Sequence, residues 1–122
     1  WKVFLKSPSI GHGTGSYKIE YDKVWPDDKR GRIDYNPHNQ YLMSLVQFGI
    51  IGLLLLISLF IIQVRDFIKR NQHPFRPMLL ILPTMFSLMC LIDTHLYGIQ
   101  SLTMFIYMSS ILYHPDWEYL QE

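Results

Sequence analysis

Between Tyr41 and Val64 the chain reads YLMSLVQFGIIGLLLLISLFIIQV, without one charged side chain. As a helix rising about 1.5 Å per residue this run would be roughly 36 Å long, enough to cross the roughly 30 Å hydrocarbon core of a bilayer. The apolar residues of the 122-residue chain are bunched instead of being spread with amphipathic periodicity. The fold class that follows is an all-α integral membrane protein. A net charge of +1 says little here, because the charge sits mainly in the polar first forty residues.

The rest of the chain is organised around that run. WKVFLKSP places Trp1, Phe4 and Leu5 on one side of a helical turn flanked by Lys2 and Lys6, a pattern suited to a membrane interface, and Pro8 ends it. A polar segment from Ser9 to Asn36 follows with balanced acidic and basic residues, and reads as a long loop without structure of its own. Residues 1–40 are thus expected to be an amphipathic helix end and an extracytoplasmic loop, with 41–64 as the first span. In RDFIKRNQHPFR, Arg65, Lys69, Arg70 and Arg76 outnumber Asp66, so 65–76 is expected to be a cytoplasmic loop by the positive-inside rule. From Pro77 to Tyr113 only Asp93 and His95 are ionisable. This favours two further spans, 77–97 and 99–113 with Gly98 at the turn and 114–122 as a cytoplasmic tail, over a last stretch lying on the surface. Pro83 is tolerable inside a span, where a neighbouring helix can satisfy the carbonyl it frees. The start at Trp1, with no signal peptide visible, suggests three helices cut from a larger polytopic helical bundle, targeted by the spans themselves. The lone Cys90 excludes a disulfide framework and a metal-type cysteine pair.

Chemistry is sought first at NPHNQ, where a helix start is legible: Asn36 can cap it, Pro37 suits the first helical position, and His38 falls in the first turn. A helix N-terminus favours a bound anion and a neutral imidazole, which can accept a proton. His38 is therefore either a general base or a histidine satisfying the first turn at headgroup level. Asn39 is either a ligand for a sugar hydroxyl or a polar first-turn residue.

Other motifs carry paired readings. GHGTGS, with Gly11, Gly13 and Gly15, is a phosphate cradle or a flexible turn, with His12 expected to be exposed. It lacks the context of a nucleotide fingerprint. Asp93 and His95 line a polar cavity within the bundle or mark the end of a span at the water interface. Arg30 and Arg32 hold phosphate oxygens, or pair locally with Asp27, Asp28 and Asp34. No local spacing supports a metal site from His12, His38, Asp93 and His95. Gly49 and Gly52 suggest close helix packing. Tyr97, Tyr107, Tyr113 and Trp117 suit interfacial belts.

The order of the pieces, W..FLKSP, then IGHGTGSY, then a polar loop, then PHNQYLMSLVQFGIIGLLLL, resembles the carboxy-terminal part of the bacterial O-antigen ligase family of membrane glycosyltransferases. The resemblance covers residues 1–64, and DTHLYGIQSLTMFIYMSSILY is a looser match to the last spans of the ligases. It implies transfer of a glycan from undecaprenyl diphosphate to the lipid A core, or another periplasmic acceptor, in lipopolysaccharide biosynthesis. It also implies an inner-membrane, multi-pass location with His38 on the periplasmic side as the catalytic base. Asn39, Gly11, Gly13, Gly15, Arg30, Arg32, Asp93 and His95 are the accompanying substrate-binding candidates. No cofactor, metal or nucleic acid is expected; the partners are the two substrates and membrane lipids. O-antigen polymerases and protein O-oligosaccharyltransferases share the HN helix start. A non-catalytic transporter or scaffold segment is the reading from another class.

Overall fold

The computed structural model describes residues 1–26, 36–115 and 117, and all its regular elements there are helical. A single 3-10 turn, Phe4–Lys6, opens the chain, followed by α1 (Ser16–Val24), α2 (Gln40–Lys69), α3 (Arg76–Ile92), a 3-10 turn at His95–Tyr97, and α4 (Ile99–Leu112). One helix, α2, is long and apolar enough to cross a membrane; α3 and α4 are shorter apolar helices.

Several boundaries differ from expectation. Part of the structureless loop is α1. Gly15, left-handed at φ 75°, turns the chain into it, and Tyr17, Tyr21 and Trp25 then stack along one side with ring centroids 6.2 and 4.8 Å apart. Lys23 reaches back one turn to Glu20. The second apolar run leaves the helix at Ile92 instead of continuing to Tyr97. There the Asp93 carboxylate accepts the Thr94 amide at 2.7 Å, a local bond that competes with the helical one.

The 30-residue α2 is broken at Gly49, whose φ of 65° and ψ of −160° are not helical. Two rungs of its ladder, Ile50 to Val46 and Ile51 to Gln47, are replaced by bonds to the segment Pro8–Gly13. Ile50 donates to Pro8 O at 2.9 Å and Ile51 to Ser9 O at 3.4 Å; His12 donates to Val46 O at 3.0 Å and Gly13 to Gln47 O at 2.9 Å. All four backbone groups opened by the break are thereby satisfied. An unmet backbone group in hydrocarbon costs several kcal/mol, so irregular backbone at membrane depth survives only where protein completes it. The approach is so close that a Cβ on Gly49 would lie 2.4 Å from Ser9 carbonyl atoms, and one on Gly11, at φ 70°, would lie 2.4 Å from those of Gln47.

Below the break, Phe60 of α2, Leu79, Leu82, Phe86 and Cys90 of α3, and Phe105 and Leu112 of α4 form the core. The Phe86 and Phe105 rings lie 4.7 Å apart. Pro83 leaves the Leu79 carbonyl without its i+4 amide, and the Tyr113 hydroxyl donates to that carbonyl at 2.8 Å. This is the rescue by a neighbouring helix anticipated from the sequence, and it gives Tyr113 a structural task. Polar contacts hold the helices higher up: Tyr41 Oη donates to Ser87 O at 2.9 Å, and Tyr97 Oη donates to Gln47 Oε1 at 3.0 Å. Gln47 is 1 % exposed.

The interlock orders the glycines by cost. Gly11→Ala and Gly49→Ala each combine a backbone clash, about 1–3 kcal/mol, with a left-handed conformation worth roughly 1–2 kcal/mol. Gly13, at φ 93°, has open space where a Cβ would go, so Gly13→Ala bears only the second, conformational cost. Unfolding midpoints in one detergent should therefore fall most for Gly11→Ala and Gly49→Ala. Equal losses at all three positions would contradict the interlock.

Candidate active site at the mouth of the spanning helix

The start of α2 is three residues later than the local pattern suggests. Its N-cap is Asn39, not Asn36: Asn39 is extended at φ −158°, and its Oδ1 accepts the Leu42 amide at 3.0 Å. The Asn39 Nδ2 donates to Leu91 O at 3.1 Å, tying the cap to the end of α3. Asn36 instead forms a turn of its own, its Oδ1 accepting the His38 amide at 3.0 Å. Both asparagines satisfy the local capping rule; partners more than fifty residues away separate them.

His38 consequently stands just before the helix, not within its first turn. It is the one non-glycine residue with positive φ, 47°, among those described. For a residue with a Cβ this conformation costs of order 1–2 kcal/mol, and such strain persists only where the surroundings over-determine it. Here they do so through the sequence after α3. Asp93 Oδ1 lies 3.3 Å from His38 Nδ1, and the same oxygen accepts from Asn36 Nδ2 at 3.1 Å. Thr94 Oγ1 donates to Asn36 Oδ1 at 3.0 Å. Asn36 is thus a two-way fork, its amide nitrogen holding the carboxylate and its oxygen taking the His38 amide and the Thr94 hydroxyl.

The electrostatics follow from that geometry. The Thr94 amide, then the Asn36 amide and the His38 ring, hold the Asp93 carboxyl below its ordinary value against an opposing effect of burial. Asp93 is therefore ionised throughout the neutral range. A carboxylate on Nδ1 selects the tautomer with its proton there and leaves Nε2 as the basic nitrogen, the arrangement that orients an imidazole for proton abstraction. Both side chains are about half exposed, 55 % for His38 and 43 % for Asp93, so the dyad opens to solvent at the mouth of α2.

The other sequence candidates separate. His95 belongs to the 3-10 turn after Asp93, and its carbonyl accepts the Gly98 amide at 3.2 Å. Gly11, Gly13 and Gly15 all have positive φ, but the amides of Gly11, His12 and Gly13 donate to the carbonyls of Ser7, Val46 and Gln47. The first closes the segment's own turn, and the amides of His12 and Gly13 complete the α2 break. His12 is largely buried rather than exposed: its Nε2 bonds Val3 O at 2.9 Å and its Nδ1 lies 3.8 Å from Glu20 Oε2. Arg30 and Arg32, with Asp27, Asp28 and Asp34, lie outside the described residues. Among the described residues no three His, Cys, Asp or Glu side chains converge as metal ligands.

Asn36 and Thr94 were not legible as site residues. The one signal for Asn36 was the pair of asparagines flanking Pro-His, which offers two competing caps. Nothing in the local sequence marks Thr94.

Residues 1–57 match the family model described as O-antigen ligase. No curated protein and no solved structure matches the chain.

Because the Asp93 pKa is depressed in the fold, its contribution to the fork is complete above the unfolded carboxylate value of about 3.9 and is lost as pH falls through the lower folded value. Hydrogen exchange at the His38 and Thr94 amides should therefore stay slow from pH 8 to about 5, relative to unfolded-chain rates, and speed up in Asn36→Ala and Asp93→Ala. Protection unchanged in both variants would exclude the fork.

Proposed function

We propose that this chain, which belongs to the O-antigen ligase family through its residues 1–57, carries the acid–base centre of a membrane glycosyltransferase. The family is one of membrane-associated, glycosyltransferase-like ligases, and α2 is a helix fit to span. On this reading the donor is a glycan on undecaprenyl diphosphate and the acceptor a hydroxyl of the lipid A core oligosaccharide. The reaction takes place at the periplasmic face of the inner membrane. Three spans, α2, α3 and α4, then form part of a larger bundle, with the Arg65–Arg76 loop in the cytoplasm.

The observation that supports this most is the contact between His38 Nδ1 and Asp93 Oδ1, 3.3 Å long, at the open start of α2. His38 Nε2 takes the proton of the acceptor hydroxyl as its oxygen bonds to the anomeric carbon. The bond from that carbon to the diphosphate oxygen breaks, and the leaving group departs as an anion. Asp93 holds the ring and stabilises the imidazolium that forms. The N-terminus of α2 presents its partial positive charge towards the anionic leaving group. Arg30 and Arg32 are assigned to the diphosphate oxygens by charge and by their place in the segment leading to His38. Asn39 and the glycine segment act as supports, the first capping α2 and the second completing its break. His95 is left without a step.

The same dyad would serve an O-antigen polymerase or a protein O-oligosaccharyltransferase, which differ in the acceptor. The test is made in the intact protein, in a bacterium lacking its own ligase. His38→Ala should abolish attachment of polymer to lipid A core, and Asp93→Asn should lower it by about 10²-fold, within the 10²–10⁴ that positioned acid–base groups contribute. Undiminished attachment in His38→Ala would reject the enzymatic reading in favour of a transporter or scaffold segment. Topology gives a second check. A cysteine at the exposed Thr14 should react with an impermeant maleimide from the periplasm, whereas one at the exposed Asn71 should not. The reverse pattern places His38 in the cytosol and sinks the reading.

A further inference from the structure

Between the α1 side and the start of α2 lies a cavity that the acid–base chemistry does not use. It has a volume of about 110 Å³ and is walled by Tyr17, Tyr21 and Trp25 of the α1 side and by Pro37, Leu42 and Val46 of the α2 side. Pro37 and Leu42 bracket His38 in sequence, so the cavity shares a wall with the residues that present the base.

Three observations define what fits there. First, its volume is far below the roughly 300–1,000 Å³ of pockets for drug-sized ligands, so it admits one ring and not a chain. Second, the rings at positions 17, 21 and 25 form a continuous row with centroids 6.2 and 4.8 Å apart, and Trp25 remains 39 % exposed. Their electron-rich faces attract partners with a positive edge, and the Lys2 ammonium already lies 5.8 Å from the Trp25 centroid. Third, α1 carries Lys18, Glu20, Asp22 and Lys23 within nine residues, which places this wall in water, not hydrocarbon. Burial pushes the Tyr17 phenol up from its ordinary value, so it stays a neutral hydroxyl able to donate or accept.

An acyl or isoprenyl chain is too long for the cavity. A hexose ring matches its size and its aromatic wall: its axial C–H bonds form a weakly positive face for an aromatic ring, and its rim of hydroxyls suits tyrosine and water. We propose that the Tyr17–Tyr21–Trp25 cleft is a subsite for a single pyranose residue of a glycan delivered to the dyad. The assignment rests on the glycosyl-transfer reading for its purpose, but its binding is measurable without transfer.

The experiment is saturation-transfer NMR on the intact protein in lipid nanodiscs, with neutral trisaccharides of glucose, galactose and N-acetylglucosamine as probes. At least one probe should bind saturably, with contacts concentrated on one ring. Trp25→Leu keeps apolar bulk but removes the ring face and should raise Kd about tenfold, equivalent to the roughly 1.4 kcal/mol at the upper end of an aromatic contact. Trp25→Phe, which keeps a ring, should stay close to the parent, and its binding shows that the cleft still folds. Saturable binding of none of the three probes overturns the proposal, as does an unchanged Kd in Trp25→Leu, or equal losses in Trp25→Leu and Trp25→Phe. The two readings fail separately. Loss of transfer in His38→Ala with normal sugar binding in Trp25→Leu removes the subsite alone, and transfer surviving His38→Ala removes the enzymatic reading whatever the sugar does.

Discussion

A helix that opens its hydrogen-bond ladder inside a bilayer must find new partners for every group it frees, because lipid offers none. In α2 that demand falls at Gly49, roughly 12 Å along the helix from Tyr41. It is met by four residues of the segment Pro8–Gly13, on the far side of the polar loop. Pro8 and Ser9 supply two carbonyls, which Pro8 can do without an amide of its own, while His12 and Gly13 supply two amides. The exchange fixes more than the break. It pins the chain just before α1, setting where α1 and its aromatic row stand against the upper part of α2. The side chain of Gln47, at the broken turn, receives the Tyr97 hydroxyl and so also fixes the segment that follows α3.

The packing changes character along the helices in a way that suits this arrangement. Around Phe60, Phe86 and Phe105 the contacts are aliphatic and aromatic, and at the mouth they are hydrogen bonds from asparagine, threonine and tyrosine. Between lipid tails, association gains little from the hydrophobic effect, so helices hold by close packing and by polar bonds worth about 0.6–2 kcal/mol each. Nearer water the same bonds acquire a second use. A fork such as Asn36 can be half solvated, holding Asp93 without sealing it away, and the carboxylate remains charged beside an accessible imidazole.

What could be read from the sequence follows from which forces act locally. The long apolar helix was plain because a continuous uncharged run of that length has the dimensions a bilayer would demand, and the completion of the Leu79 carbonyl was foreseeable because Pro83 announces an unmet group. The single helix α1 was not plain. Its sequence SYKIEYDKV has little amphipathic pattern, and its support comes from rings stacking along its surface and from Lys23 meeting Glu20. GHGTGS has the spacing of an anion cradle, and only its partners at Val46 and Gln47, more than thirty residues on, show where its amides are used. The histidine could be singled out as a candidate by its place before the long apolar run. Its strained backbone was not legible, since that depends on an asparagine whose choice between cap and fork is decided by Asp93 and Thr94.

The strain at His38 and the break at Gly49 belong to one closed circuit. From His38 the chain enters Gln40–Phe48, a rigid segment of nine residues fixed above by the Asn39 cap and below by the Pro8–Gly13 segment. Gln47, near its lower end, bonds Tyr97; four residues back along the chain from Tyr97 stands Asp93, which returns to His38. Every link is a helix, a short turn or a hydrogen bond, so the two members of the dyad cannot move apart without breaking one of them. A positive φ at a residue with a Cβ is tolerable in such a circuit because relaxing it would cost more elsewhere than it returns. Positioning of this kind matters most to a proton transfer, where a displacement of an ångström is felt directly. A side chain buried at the helix break, with no access to substrate, thereby helps to set the distance between an imidazole and its carboxylate about 13 Å along the helix axis.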